Sequence, residues 1–138
     1  MRDVANLVSE PQADLRGALF RIGELYLSHF LSNADRVRLC MRENLEERPG
    51  QSKTLAEKVF GQDHAALMTL LRVAQERGEM RADINPTVLA SLLMAACVFY
   101  FQSESIIKHL PGTEELDDPR FFIQNVVDIL LHGVAPVE

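Results

Sequence analysis

The chain is short of positive charge, of cysteine and of long uninterrupted apolar sequence, and each shortage removes a class of function. Lysine and arginine number 14 against 20 aspartates and glutamates, a formal net charge of −6. Nonspecific affinity for nucleic acid comes from clustered cations that release phosphate counterions, so DNA is not expected as a direct ligand of these residues. The two cysteines, Cys40 and Cys97, stand far apart in apolar surroundings. They read as reduced, cytosolic packing residues rather than a disulfide staple. The longest apolar run, Val88 to Phe101, is broken only by Ser91 and is shorter than the roughly 18 to 20 residues that cross a bilayer. A buried helix of a cytoplasmic protein with no membrane partner is expected there. Met1 to Glu10 include Arg2, Asp3, Asn6 and Glu10, too polar for a secretory signal.

Catalytic and ligand motifs are missing as well. There is no G-x-S-x-G elbow and no setting that pairs a nucleophile with a base. His29, His64, His109 and His132 share no metal-ligand spacing, and the isolated glycines form no phosphate cradle. No catalytic residue, metal or cofactor is therefore expected. A helical enzyme using Glu43, Asp63 or His64 as acid or base is a distant alternative, requiring those groups to converge in a cleft.

What is present is helical periodicity. No segment alternates with period two, and Pro11, Pro49, Pro86, Pro111, Pro119 and Pro136 fall between periodic segments, where proline is tolerated. With 138 residues and 47% hydrophobic content, an all-α fold in one domain spanning residues 1–138 follows. The first helix is expected from about Gln12 to Leu31. A second is expected after Ser32 or Asn33, with Val37, Cys40, Met41 and Leu45 on one side. A third, capped by Ser52 and open to interruption at Gly61, ends at Gly78, where glycine suits the left-handed cap. Asn85 and Pro86 open the fourth helix. The last runs from about Pro119 to Gly133.

The fourth and last helices are apolar on more than one side, which a small monomer cannot cover. Phe99, Ile106, Phe122, Val126, Ile129 and Leu130 are expected at a dimer interface, the two helices giving half of a four-helix arrangement. Soft and aromatic residues on converging helices, namely Tyr26, Met41, Met68, Leu71, Met94, Cys97 and Phe101, are either ordinary core or the lining of an adaptable apolar pocket. Among Arg36, Arg38, Arg42 and Arg48 stand Glu43, Glu46 and Glu47, which supply compensating charge. They read as a solvated face, unless one arginine turns inward to hold an acidic ligand group.

The run VAQERGEMRADINPTVLASLL, Val73 to Leu93, resembles the C-terminal regulatory domain of TetR-family transcriptional regulators. RVRLCMRENLEERPG followed by LAEKVF, within Asp35 to Phe60, and VVDILLHGV near the end are similar to further stretches of that domain. The resemblance implies a helical bundle that forms a homodimer and senses a small, largely apolar effector in a cavity among the first four helices. DNA would be reached only through an N-terminal helix-turn-helix that these residues do not include, with Met1 to Glu10 a remnant of the connecting helix. The alternative is a dimeric protein-interaction module with neither effector nor DNA binding, favoured if the core is filled.

Overall fold

In a computed structural model of the chain, which describes residues 14–46 and 61–134, Asp14 sets where the first helix begins. Its backbone is extended, and its Oδ1 accepts a hydrogen bond from the Gly17 amide at 2.8 Å, satisfying one of the amides that a helix start leaves without a partner. Helix α1 accordingly runs Leu15–Ser32, beginning later than the expected Gln12. Helices α2 (Ala34–Leu45), α3 (Gly61–Glu76), α4 (Pro86–Ile107) and α5 (Pro119–Val134) follow, with one 3₁₀ turn at Glu114–Asp117. All regular structure among the described residues is helical, as the absence of period-two alternation requires. The Ser52 cap, LAEKVF and the reading of Met1 to Glu10 lie outside the described residues.

The α1 side chains at helical spacing, Leu15, Ala18, Leu19, Ile22, Tyr26, Leu27 and Phe30, are all buried. They fill the space between α1 and its two main neighbours, α4 and α5, while α3 also packs on α4. Each fully enclosed aliphatic side chain of this set contributes about 1.5–3 kcal/mol. Gly23 permits the close approach: a Cβ there would stand 2.9 Å from Ile123 Cγ2 of α5 and 3.4 Å from Leu93 Cδ1 of α4.

Two caps order the connections. Gly78 adopts φ +78°, and the Glu79 amide donates to the Ala74 carbonyl at 2.9 Å, closing α3 with a left-handed turn. Asn85 Oδ1 accepts from the Thr87 amide at 2.8 Å with Pro86 in the first turn of α4, as expected of that pair. Asn33 precedes α2 without capping it, because its Nδ2 donates back to the His29 carbonyl at 3.0 Å. At the far end of α4, Tyr100 Oη donates to the Leu116 carbonyl at 2.6 Å, holding the 3₁₀ turn that leads into α5.

The length of α4 goes beyond that of the apolar run. The apolar run is 14 residues, but the helix extends through Gln102 to Ile107 and reaches 22, long and apolar enough by length and composition to cross a bilayer. In this fold one side of it packs on α1, α3 and α5 instead.

Gly23→Ala tests the α1–α5 approach. Alanine gains about 1 kcal/mol of helix propensity, whereas forcing apart the fully enclosed Ile123 costs about 1–3 kcal/mol. The expected outcome is net destabilisation, read as a lower urea midpoint at unchanged slope; a midpoint equal to or above that of the parent would show that the contact relaxes freely.

Candidate functional site

Helix α4 has two apolar sides with different fates. Leu89, Leu93, Cys97, Tyr100 and Phe101 face the core and are buried. On the opposite side, Val88, Leu92, Phe99 and Ile106 are exposed, Phe99 by 56% and Ile106 by 64%. These positions, with the exposed Ala95 between them, advance by alternating four and three residues over the upper half of the helix, the spacing of a seam that packs on another helix. No charged side chain occurs in α4 before Glu104.

Helix α5 has an outward apolar set of its own. Its Ile123 and Val127 are buried inward, Ile129 is 71% exposed, and Phe122, Val126 and Leu130 are half-buried. The Tyr100 and Phe122 rings, 4.9 Å apart, bring α4 and α5 together. The structure thus places the six expected pairing residues on α4 and α5, three exposed and three half-buried. It adds Val88 and Leu92, which the spacing from Phe99 back along α4 would have identified. Large apolar side chains grouped on the outward side of a helix mark a candidate interaction surface.

The inner set also converges. Tyr26, Met68, Leu71, Cys97 and Phe101 belong to one buried cluster, and Met41 and Met94 pack against it partly buried. Polar groups reach the sulfurs: Thr87 Oγ1 donates to Met68 Sδ at 3.6 Å and Gln102 Nε2 to Met41 Sδ at 3.3 Å. Cys97 Sγ lies 3.7 Å from the Gly23 carbonyl oxygen, and burial pushes its thiol up to about 12. Tyr100 is raised by burial and by the negative charge of Glu104, Asp117 and Asp118.

The arginine face resolves in part. Arg38 reaches over the Phe101 ring, with its guanidinium carbon 5.0 Å from the ring centre, while Asp35 stands 3.9 Å away and the side chain stays 63% exposed. It covers the cluster from outside rather than entering it. Arg36 and Arg42 are exposed, and Arg48 and Glu47 lie outside the described residues. Helix α2 buries no side chain completely. Of the alternative acid–base trio, Glu43 is half-buried on α2, His64 is exposed on α3, and the Asp63 side chain lies outside the described ones.

Two surface clefts are present elsewhere. One of about 530 Å³ is lined by Asp14, Arg16, Phe20, Gln124 and Asp128 between α1 and α5. The other, about 270 Å³, is lined by Leu31, Tyr100, Glu104, Lys108 and Pro119. Neither includes any of the seven soft residues, whose cluster is packed: Leu71 and Cys97 are fully enclosed.

A family model described as tetracyclin repressor-like, C-terminal domain matches residues 16–121. That span takes in α1 to α4 and the 3₁₀ turn. Comparison with curated proteins and with solved structures gives no match.

The buried thiol sets an alkaline limit on stability. A folded-state pKa raised above the unfolded value contributes stability that is complete below the ordinary value, 9.0 for cysteine, and is lost as pH climbs toward about 12. Tyr100, also raised, acts in the same direction. The unfolding free energy, read from the urea midpoint, is expected to fall above pH 9, by at most about 1.4 kcal/mol per pH unit for Cys97. Cys97→Ala should flatten that slope; equal slopes with and without the thiol would remove Cys97 as its source.

Proposed function

The chain belongs to the tetracyclin repressor-like C-terminal domain family, and from that premise we propose that it is the dimerising, effector-sensing part of a cytoplasmic transcriptional regulator rather than an enzyme. The observation that carries this reading is the outward apolar surface of α4 and α5, on which Phe99, Ile106 and Ile129 are more than half exposed. Two copies joined through these helices cover that surface with a four-helix arrangement. Because the row before Glu104 is uncharged, it meets its own copy without repulsion between like charges.

The effector site in this reading is the inner cluster of Tyr26, Met41, Met68, Leu71, Met94, Cys97 and Phe101. Its chemistry favours a small, largely apolar molecule, since methionine side chains repack around varied shapes. Entry requires packing to yield. Helix α2, which contributes no fully buried side chain, is the element that yields at least cost. A coupling of roughly 1–3 kcal/mol between effector and a DNA-reading domain outside these residues is enough for a useful switch.

A second reading has its own observation. The packed cluster, with both described clefts elsewhere, favours a dimeric protein-interaction module that takes no effector.

Sedimentation velocity at about micromolar concentration, the regime of moderate-affinity dimers, tests the shared part. The chain is expected to sediment as two copies, and Phe99→Glu and Ile129→Glu are each expected to shift it to one copy with helical circular dichroism retained. A wild-type chain that stays strictly monomeric would overturn the dimer. Thermal unfolding against a panel of small apolar molecules separates the two readings. A true effector at about 100 times its Kd stabilises by about 2.7 kcal/mol, a rise of several degrees, whereas a panel without any rise speaks for the interaction module.

A further inference from the structure

The loop between α3 and α4, whose Met80 belongs to the same buried cluster as the soft residues, carries a second piece of architecture. Gln75, on the last turn of α3, extends Nε2 to two loop carbonyls, those of Arg81 at 3.0 Å and Ile84 at 2.7 Å. Met80 anchors the loop, being 1% exposed. The Arg81 guanidinium is gripped by Asp83 at two points, Nε to Oδ1 at 3.0 Å and Nη2 to Oδ2 at 2.8 Å. Its remaining nitrogen, Nη1, donates to the Gly133 carbonyl at 3.2 Å, a bond that spans 52 positions in sequence.

Gly133 lies in the final turn of α5, where helix carbonyls have no amide partner within the helix and the dipole presents negative charge. A cation with a fixed fork is suited to that position. The turn just before it carries Ile129 and Leu130, and the helix that sends out Gln75 also supplies Met68 and Leu71 to the inner cluster. One short chain of bonds therefore connects the end of α3 to the end of α5.

Resting on the dimer reading above, we propose that Arg81 is a positioning residue for the pairing surface: held by Asp83 and by the Gln75-braced loop, it fixes the carboxyl-terminal turn of α5. The outward side chains there are then presented in one orientation. Any displacement of α3 is carried to the same turn through the loop.

The test uses the full chain with Arg81→Ala, Arg81→Lys and Asp83→Asn, and reads two quantities. The first is the dimer dissociation constant by sedimentation, with helicity followed in parallel. Arg81→Ala is expected to weaken self-association about threefold or more, the scale of a cation–dipole contact at a helix end. Arg81→Lys, which keeps the charge but not the fork, should recover part of the loss, and Asp83→Asn should lie between wild type and Arg81→Ala. The second is amide hydrogen exchange in residues 130–134, expected to speed up in Arg81→Ala relative to wild type while exchange in α1 stays constant.

A wild-type dimer whose dissociation constant and α5 exchange are unchanged by Arg81→Ala would overturn the inference and leave the dimer standing. A wild-type monomer would remove the dimer reading and with it the pairing role, and the exchange of the last α5 turn would then decide whether Arg81 fixes that turn at all. Should Arg81→Ala fail to fold, the lysine variant carries both measurements, and a lysine variant matching wild type in both would count against the fork.

Discussion

A helix with no charged side chain before Glu104 and apolar residues on two sides needs more cover than one side, and everything else in this structure is arranged around how far one chain can supply it. Helices α1, α3 and α5 cover one side of α4, and Gly23 lets α1 come close enough to Leu93 and Ile123 to make that cover dense. On the other side Val88, Leu92, Phe99 and Ile106 stay more than half exposed. Burying a Phe or Ile side chain is worth about 1.5–3 kcal/mol. A row of several such residues is therefore a substantial reason for two chains to meet, although association also costs overall motion and side-chain freedom.

Much of this was legible in the order of residues because it depends on local rules. The Asn85–Pro86 start of α4 and the left-handed Gly78 follow from capping and from the conformations those residues favour. The surplus apolar character of α4 and α5 needed only the observation that one helix has one core-facing side. Other features were hidden because they depend on contacts distant in sequence. Nothing near Gly23 reveals that Ile123 will stand against it, and nothing near Arg81 reveals the Gly133 carbonyl 52 positions on. The end of α4 was hidden for a different reason: the apolar run stops at Phe101, but Gln102 to Ile107 continue the helix, with Gln102, Glu104 and Ser105 exposed and Ile107 buried.

The candidate pocket shows the same division. Helical spacing was sufficient to bring Tyr26, Met68, Leu71, Cys97 and Phe101 into one cluster. It was not sufficient to say whether that cluster encloses space, because volume depends on how neighbouring helices settle against one another to near-crystalline density. Nor did spacing reveal that Arg38 would lie across Phe101. An arginine on an exposed helix has many directions available, and the ring that attracts it is 63 positions away.

On the proposed reading, the inner and outer surfaces are linked through the shortest physical route available, a single helix. Cys97 and Phe101 face the cluster while Phe99, between them in sequence, faces outward. A ligand that made the cluster expand would have to push α4, since the enclosed Leu93 and Cys97 leave no slack to absorb the change. A rigid helix transmits that push to its far side almost undiminished, and a self-pairing surface doubles it, because the same shift occurs in both copies about one axis. The softness of the methionines and the weak attachment of α2 then have a common rationale. They place the compliance on the side where a ligand enters, and leave the side that pairs stiff enough to report it.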